Sequence, residues 1–331
     1  MVNGIINVYK EKGYTSHDVV AKMRGILKMK KIGHTGTLDP DAVGVLPVCM
    51  GKGTKLVDMI TDTDKTYEAV LKLGITTDTQ DMTGTVLKEA PVTAGYGQIE
   101  AVVKGYIGEY MQLPPMYSAI KVDGKRLYEL ARQGKEIERE RRRVVIRDIR
   151  ILGYSGAEHE VTMSVDCSKG TYIRTLLHDI GEALGCGGTM KSLVRTAVGQ
   201  FKLENALRLS EIEALAREEA LAPYIIPVEE MFRDYDKVVV DREYHKLIYN
   251  GNPFCKSQRM PVDSNAATDD TVTEDNSMPT DDIVATNDTM APEDSVATAF
   301  ARVYDADGNF VGIYRFDQEA GLYRPVKMFL S

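Results

Sequence analysis

Between Pro261 and Phe300 the chain carries ten acidic residues (Asp263, Asp269, Asp270, Glu274, Asp275, Asp281, Asp282, Asp288, Glu293 and Asp294) and no Lys or Arg. The wider stretch 257–299 is built from Asp, Thr, Ser, Ala, Asn and Pro, with few large apolar side chains. Such a segment cannot bury enough surface to offset its ordering entropy, so it is expected to be disordered. It therefore splits the C-terminal part of the chain into two pieces that must fold across it. Lys237-Val-Val-Val-Asp-Arg-Glu-Tyr-His-Lys-Leu-Ile-Tyr-Asn-Gly251 reads as a strand and a short helix closing at Asn250-Gly251. Phe300 to Tyr314 reads as a β-hairpin turning at Asp307-Gly308, and Tyr323 to Phe329 as a last strand. Residues 234–331 are thus expected to form one small β-rich domain with an acidic insertion at about 257–299.

The acidity also decides what the rest of the molecule can bind. Removing those ten acids takes the formal net charge from −8 to +2, so the remainder is mildly basic and compatible with nucleic acid. A hydrophobic content of 43% is ordinary for a globular protein, and no apolar run approaches the roughly 18 residues that span a bilayer. The N-terminus lacks a basic start, an apolar stretch and a small-residue cleavage site, so it does not read as a signal peptide. Four widely spaced cysteines, without a C-x-x-C pair, argue against a zinc ribbon or a disulfide framework. The expectation is a cytoplasmic protein with no membrane association.

Residues 1–233 mix strand and helix patterns without regular βαβα alternation, which disfavours a doubly wound parallel sheet. An α+β domain with a mixed, largely antiparallel sheet is expected. Ser16–Lys28 reads as a helix capped by Ser16, with Val19, Val20, Met23, Ile26 and Leu27 on one face. Tyr67–Leu73 and Val161–Cys167 alternate like strands, Ile173 to Leu184 carries a helical apolar stripe closed by Gly185, and Ser210-Glu-Ile-Glu213 reads as a capping box.

The segment Gly33-His-Thr-Gly-Thr-Leu-Asp-Pro-Asp-Ala42 is the densest motif. Two glycines and Pro40 should shape a loop that holds the Asp39 carboxylate in a fixed direction. A phosphate-cradling loop is excluded nearby, because Gly51-Lys52 has Leu46 where the first glycine should be and Gly53 where a hydroxyl should be. Spacing alone leaves Asp39 open between a catalytic carboxylate and an ordinary turn residue. Arg174 lies off the Ile173–Leu177 apolar stripe, so by periodicity it is an exposed helix arginine, and Tyr67 by alternation is plain core.

The segment Gly33–Pro40, followed by Ala42, Gly44, Leu46 and Pro47, resembles the signature of TruB-type pseudouridine synthases. Further ordered matches are Gly4–Ser16, Lys65-Thr-Tyr67, Leu113–Lys121, Gly124–Arg132 and Cys167–Leu177. The chain has Tyr9-Lys10-Glu11 where the family usually has Asp-Lys-Pro. The resemblance implies a pseudouridine synthase catalytic fold over 1–233, an RNA-contacting insertion at about 112–145, and a PUA-like RNA-binding domain over 234–331. It implies isomerisation of uridine 55 in the T-loop of tRNA, by flipping the base out of its stack. The reaction has no redox change and no net hydrolysis, so no cofactor or metal is expected.

On that resemblance Asp39 is the essential carboxylate; attack on the sugar, attack on the base and removal of a ribose proton all stay open as its first step. Arg174 is its ionic partner, and Tyr67 stacks on the target uracil and assists proton removal from C5. His34 either helps hold the T-loop or is a hydrogen-bonded loop histidine. Leu193 either lines the uracil pocket or packs in the core, and Tyr172 joins the substrate-binding set. Lys121, Lys125, Arg126 and Arg132 are assigned to RNA contact, whereas Arg139 to Arg150 fit either RNA contact or a solvated face. The expected partner is the T-loop and stem of tRNA, bound by a monomer without an obligatory protein partner. Two other readings are a guide-RNA-dependent, dyskerin-type synthase and a non-catalytic RNA-binding or RNA-folding protein. The acidic insertion either competes with RNA for the basic surface or is a tolerated loop expansion.

Overall fold

The computed structural model describes residues 2–122, 124–260 and 299–330, so the expected disorder of the acidic segment falls outside the described residues except at its edges. The chain divides into two compact units, Met1–Val228 and Glu229–Ser331.

The first unit is α+β, as its irregular patterning implied. Its main strands are β1 (Gly4–Lys10), β2 (Ile32–His34), β3 (Val43–Met50), β4 (Lys65–Leu73), β5 (Gly108–Gln112), β6 (Arg142–Ser155), β7 (Glu160–Cys167) and β8 (Gly188–Val198). They form one sheet in the order β1-β3-β8-β4-β7-β6-β5, with β2 paired on β3 and a short strand Phe201–Lys202 on β8. Every pair is antiparallel except β3 with β8. Alternation along β4 buries Lys65, Tyr67, Ala69, Leu71 and Leu73, and along β7 it buries Val161, Met163, Val165 and Cys167.

Helix α1 (Ser16–Leu27) buries Val19, Val20 and Met23 in a cluster with Ile6, Val8, Leu46 and Val48, joined by Leu209 and Ile212 of α3 (Leu209–Arg217). Both sequence-based caps are corrected. The N-cap of α1 is Thr15, whose hydroxyl accepts from the Asp18 N–H while the Asp18 carboxylate accepts from the Thr15 N–H. Ser16 is instead buried and accepts the Leu38 N–H at 3.0 Å. Helix α3 starts before Ser210, and its reciprocal contact is the Glu211 carboxylate accepting the Arg208 N–H at 2.6 Å.

Helix α2 (Ile173–Ala183) packs Ile173, Leu176, Leu177 and Ile180 into the second cluster, with Tyr67, Leu71, Met163, Val165 and Leu38. It approaches β8 so closely that a Cβ on Gly181 would overlap the backbone of Gly187 and Gly188.

The second unit is β-rich. Strands β9 (Asp236–Val239), β10 (Phe254–Cys255), β11 (Phe300–Tyr304), β12 (Phe310–Asp317) and β13 (Leu322–Met328) form a five-stranded sheet ordered β9-β11-β12-β13-β10. The expected hairpin is β11–β12, and the expected short helix is His245–Tyr249. On either side of the acidic segment the backbone is tied down: Met260 N–H donates to Val239 C=O at 2.9 Å and Phe316 N–H to Ala299 C=O at 2.7 Å.

Because α2 and β8 touch backbone to backbone, Gly181→Ala is expected to destabilise the protein by about 1–3 kcal/mol through overpacking. A urea unfolding midpoint equal to that of the wild type, at unchanged slope, would contradict the contact.

Candidate active site

The motif loop is stitched to its surroundings from four sides. Thr35 donates through both N–H and hydroxyl to Pro47 C=O, each at 3.1 Å. Leu38 is buried and bonded to Ser16, as above. Pro40 C=O accepts the Gly13 N–H at 3.0 Å. Lys10, at 0% exposure, donates its ammonium to Ala42 C=O at 2.6 Å, Pro40 C=O at 3.1 Å and Glu11 C=O at 3.3 Å. Gly36 sits at φ +93°, in the left-handed region that favours glycine. Asp39 is thereby held at the end of a loop with little freedom of its own.

Arg174 comes to Asp39 from α2. Its Nε lies 2.9 Å from Asp39 Oδ2 and its Nη2 donates to Asp39 Oδ1 at 3.4 Å, a side-on fork. The same guanidinium donates through Nη1 to Thr79 C=O at 2.9 Å and through Nη2 to Tyr117 C=O at 2.7 Å, with Asp81 Oδ2 at 3.9 Å. Arg174 is 5% exposed, which corrects the exposed arginine that helical periodicity alone suggested. The carbonyls of two remote loops, invisible to that periodicity, are what let a charged side chain be buried here. The Asp39 side chain keeps 40% exposure, so one face of the carboxylate remains open to an incoming group.

Tyr67, on β4, is buried with Leu38 and Leu193 in the cluster beside α2. Burial raises its phenol above the ordinary tyrosine range, and Arg195 opposes that shift. Leu193 is 7% exposed on β8. Tyr172 is the N-cap of α2; its N–H donates to Gln112 Oε1 at 2.8 Å and its C=O accepts from Gln112 Nε2 at 3.0 Å. His34 meets His17 edge-on at 5.0 Å, its Nδ1 is buried with no hydrogen-bond partner among the described residues, and burial followed by the His17 charge lowers its pKa.

The expected RNA-contacting residues lie on a separate element. Lys121–Val122 pairs with Lys125–Arg126 in a two-stranded ribbon that runs into the helix Leu127–Ala131. Leu127 and Leu130 are buried, while Arg126 and Arg132 both flank the Tyr128 ring, at 5.8 and 5.5 Å from its centroid. Of the later arginines, Arg143, Arg147 and Arg150 pair with Glu109, Asp64 and Asp148.

Sequence reasoning missed three members of the site. Asp81 is the second carboxylate near Arg174. Lys10 was legible only as part of a matching motif, although a lone lysine ending an apolar strand is itself a signal. Burial lowers its pKa to about 8, against the opposing pull of Asp39. Arg195, opposite Tyr67 in the β4–β8 register, is 1% exposed.

Replacing Lys10 with Met orphans buried carbonyls of the loop, so Lys10→Met is expected to cost about 1–3 kcal/mol. Hydrogen exchange should quicken at the Gly13 and Ala42 amides, which bond to Pro40 and Asp39 carbonyls. Unchanged exchange there would show that the ammonium does not hold the loop.

The family model for the TruB family pseudouridylate synthase N-terminal domain matches residues 24–173. A second, for the tRNA pseudouridylate synthase B C-terminal domain, matches 174–233. A protein of Lachnoclostridium phytofermentans named tRNA pseudouridine synthase B is 54% identical, over 99% of this chain and 100% of its own length. One of Alkaliphilus oremlandii with the same name is 50% identical, over 76% of this chain and 82% of its own. Among solved structures, a chain of a Cbf5–Nop10–Gar1 complex is similar at TM-score 0.65 and 25% identity, over 99% of this chain and 85% of that one. A chain of an H/ACA RNP bound to a substrate RNA containing 2′-deoxyuridine shares the fold at TM-score 0.64 and 23% identity, with 99% and 85% covered. Matched along its length by relatives and over more than half by family models, the chain belongs to the TruB family of pseudouridylate synthases.

Proposed function

We propose that the enzyme isomerises uridine 55 in the T-loop of tRNA to pseudouridine, with Asp39 as its essential carboxylate and no cofactor. The observation that carries this reading is the fork between Arg174 and Asp39, with Tyr67 in the adjoining cluster. The full-length relative named tRNA pseudouridine synthase B supports the substrate. The reaction breaks the C1′–N1 bond, turns the uracil and joins C1′ to C5, with one proton lost at C5 and one gained at N1.

In this reading the base leaves its stack and enters beside Asp39, whose exposed face meets the sugar and base. Extraction of a base costs a few kcal/mol, and stacking on an aromatic ring returns roughly 1–3 kcal/mol. Tyr67 supplies that ring and takes part in removing the C5 proton. Leu193 and Tyr172 bound the uracil, and His34 faces the T-loop. Arg174 keeps the carboxylate oriented; hydrogen bonds to charged groups contribute about 1.5–3 kcal/mol, and the partial exposure of Asp39 places this pair at the low end.

Lys121, Lys125, Arg126 and Arg132 grip the phosphates of the T-stem and loop. The second unit is read as a PUA-like RNA-binding domain, the catalytic domain as 1–233 with its RNA element at about 112–145. The enzyme acts as a monomer on free tRNA in the cytoplasm, without a protein partner. No helix among the described residues is long and apolar enough to cross a membrane.

Purified protein incubated with unmodified tRNA transcript should place pseudouridine at position 55, and Asp39→Ala should place none. Product from Asp39→Ala would remove the carboxylate from the mechanism. Product at another position would overturn the substrate, and a requirement for added guide RNA would favour the dyskerin-type reading. Arg126→Ala and Arg132→Ala should each weaken tRNA binding and flatten the slope of log affinity against log salt by about one. An unaltered slope would take those side chains off the phosphate backbone.

A further inference from the structure

The site contains a second buried guanidinium that this mechanism has not used. Arg195 projects from β8 directly opposite Tyr67 and is 1% exposed. Its Nε donates to Val45 C=O at 2.7 Å. Its Nη1 lies against the motif loop, 3.7 Å from where a Cβ on Gly36 would stand. Across the β4–β8 pairing the Arg195 charge and the Tyr67 phenol act on each other. Arg195 Nη2 is buried with no acceptor among the described residues.

Arg195 forms no ion pair with a carboxylate among the described residues, and Tyr67 is the one acidic group that acts on it appreciably. An unneutralised buried cation is costly, and a brace between strands would not need one. Lys10 from β1, Lys65 from the start of β4 and His34 from β2 all feel Arg195 as a like charge. Tyr67 is faced in addition by Cys167 from β7 and Asp39 from the loop. Negative charge that develops on the Tyr67 oxygen therefore has a counter-ion in place across the strand pair.

We propose that Arg195 is a positioning residue that holds Tyr67 in place and stabilises the negative charge that develops on its oxygen when the phenol gives up its proton, so that Tyr67 can then take the C5 proton of the substrate base. This rests on Tyr67 contacting the uracil, as read above. Once C1′ is bonded to C5, the Tyr67 phenol gives its proton to N1 and leaves a charged oxygen beside Arg195. The C5–H bond then breaks: its proton passes to that oxygen and its electron pair enters the ring towards N1. This restores the neutral phenol. One proton leaves C5, one arrives at N1, and nothing else is consumed.

A double-mutant cycle tests the coupling. Arg195→Gln should lower the single-turnover rate on tRNA about hundredfold with Tyr67 present, but less than about threefold when Tyr67→Phe is also made. KM should move less than about twofold, and Arg195→Lys should recover about tenfold of the lost rate. Equal losses in both backgrounds, or a Lys variant no faster than Gln, overturns the proposal. A second measurement needs neither substrate nor residual activity. The tyrosinate absorbance difference between wild type and Tyr67→Phe should titrate at lower pH than the same difference made in Arg195→Gln, because removing the nearby cation disfavours the phenolate. Equal titrations overturn the proposal. If the Gln variant does not fold, Arg195→Met takes its place in both measurements. Wild type that makes no pseudouridine but shows the displaced titration would refute the proposed function while leaving the Arg195–Tyr67 coupling standing.

Discussion

The ammonium of Lys10 is buried, and the form of the motif loop follows from where its donors go. Pro40 cannot donate a backbone hydrogen bond, and Ala42 is buried, so the carbonyls around Asp39 have few partners within their own segment. Lys10 reaches two of them from β1, whose register against β3 places Lys10 opposite Gly44. The end of one strand thus anchors the loop that leads into its neighbour. Displacing Lys10 would displace Asp39, and with it the fork from Arg174.

Charge in this site is organised by depth. Asp39 is at the open side, Arg174 behind it in a cage of carbonyls, and Arg195 is buried opposite Tyr67. Arg174 tolerates burial because its donors are satisfied by a carboxylate and two backbone acceptors. Arg195 has one backbone acceptor, the Val45 C=O, and stands opposite a phenol. Two arginines of similar burial therefore hold very different amounts of unspent electrostatic potential, and only the second is short of an anion.

Much of the architecture was legible in local pattern. Alternation along β4 and β7 marked the central strands, and the stripe from Ile173 to Leu184 marked the helix that carries Arg174. Asp39, Tyr67 and Arg174 were named by motif. The parts that escaped depend on chain partners distant in sequence. Arg174 looked exposed because its acceptors at Thr79 and Tyr117 belong to other loops. Ser16 looked like a helix cap because its hydroxyl is chemically suited to one. Its use instead to hold Leu38 depends on a contact with the motif loop, and Thr15 provides the cap. Arg195 falls in an unremarkable strand, and nothing in its neighbours along the chain announces that it faces a tyrosine on the next one.

The backbone ties at Met260 and Ala299 have a consequence for how such a chain can vary. Each end of the intervening segment is held by a bond to a strand that does not depend on the segment itself. Closing a loop costs only about 0.6 kcal/mol more for each doubling of its length. The sheet of the second unit is therefore nearly indifferent to how many residues pass between those two ties. Length and charge there are free to drift under selection for something other than folding.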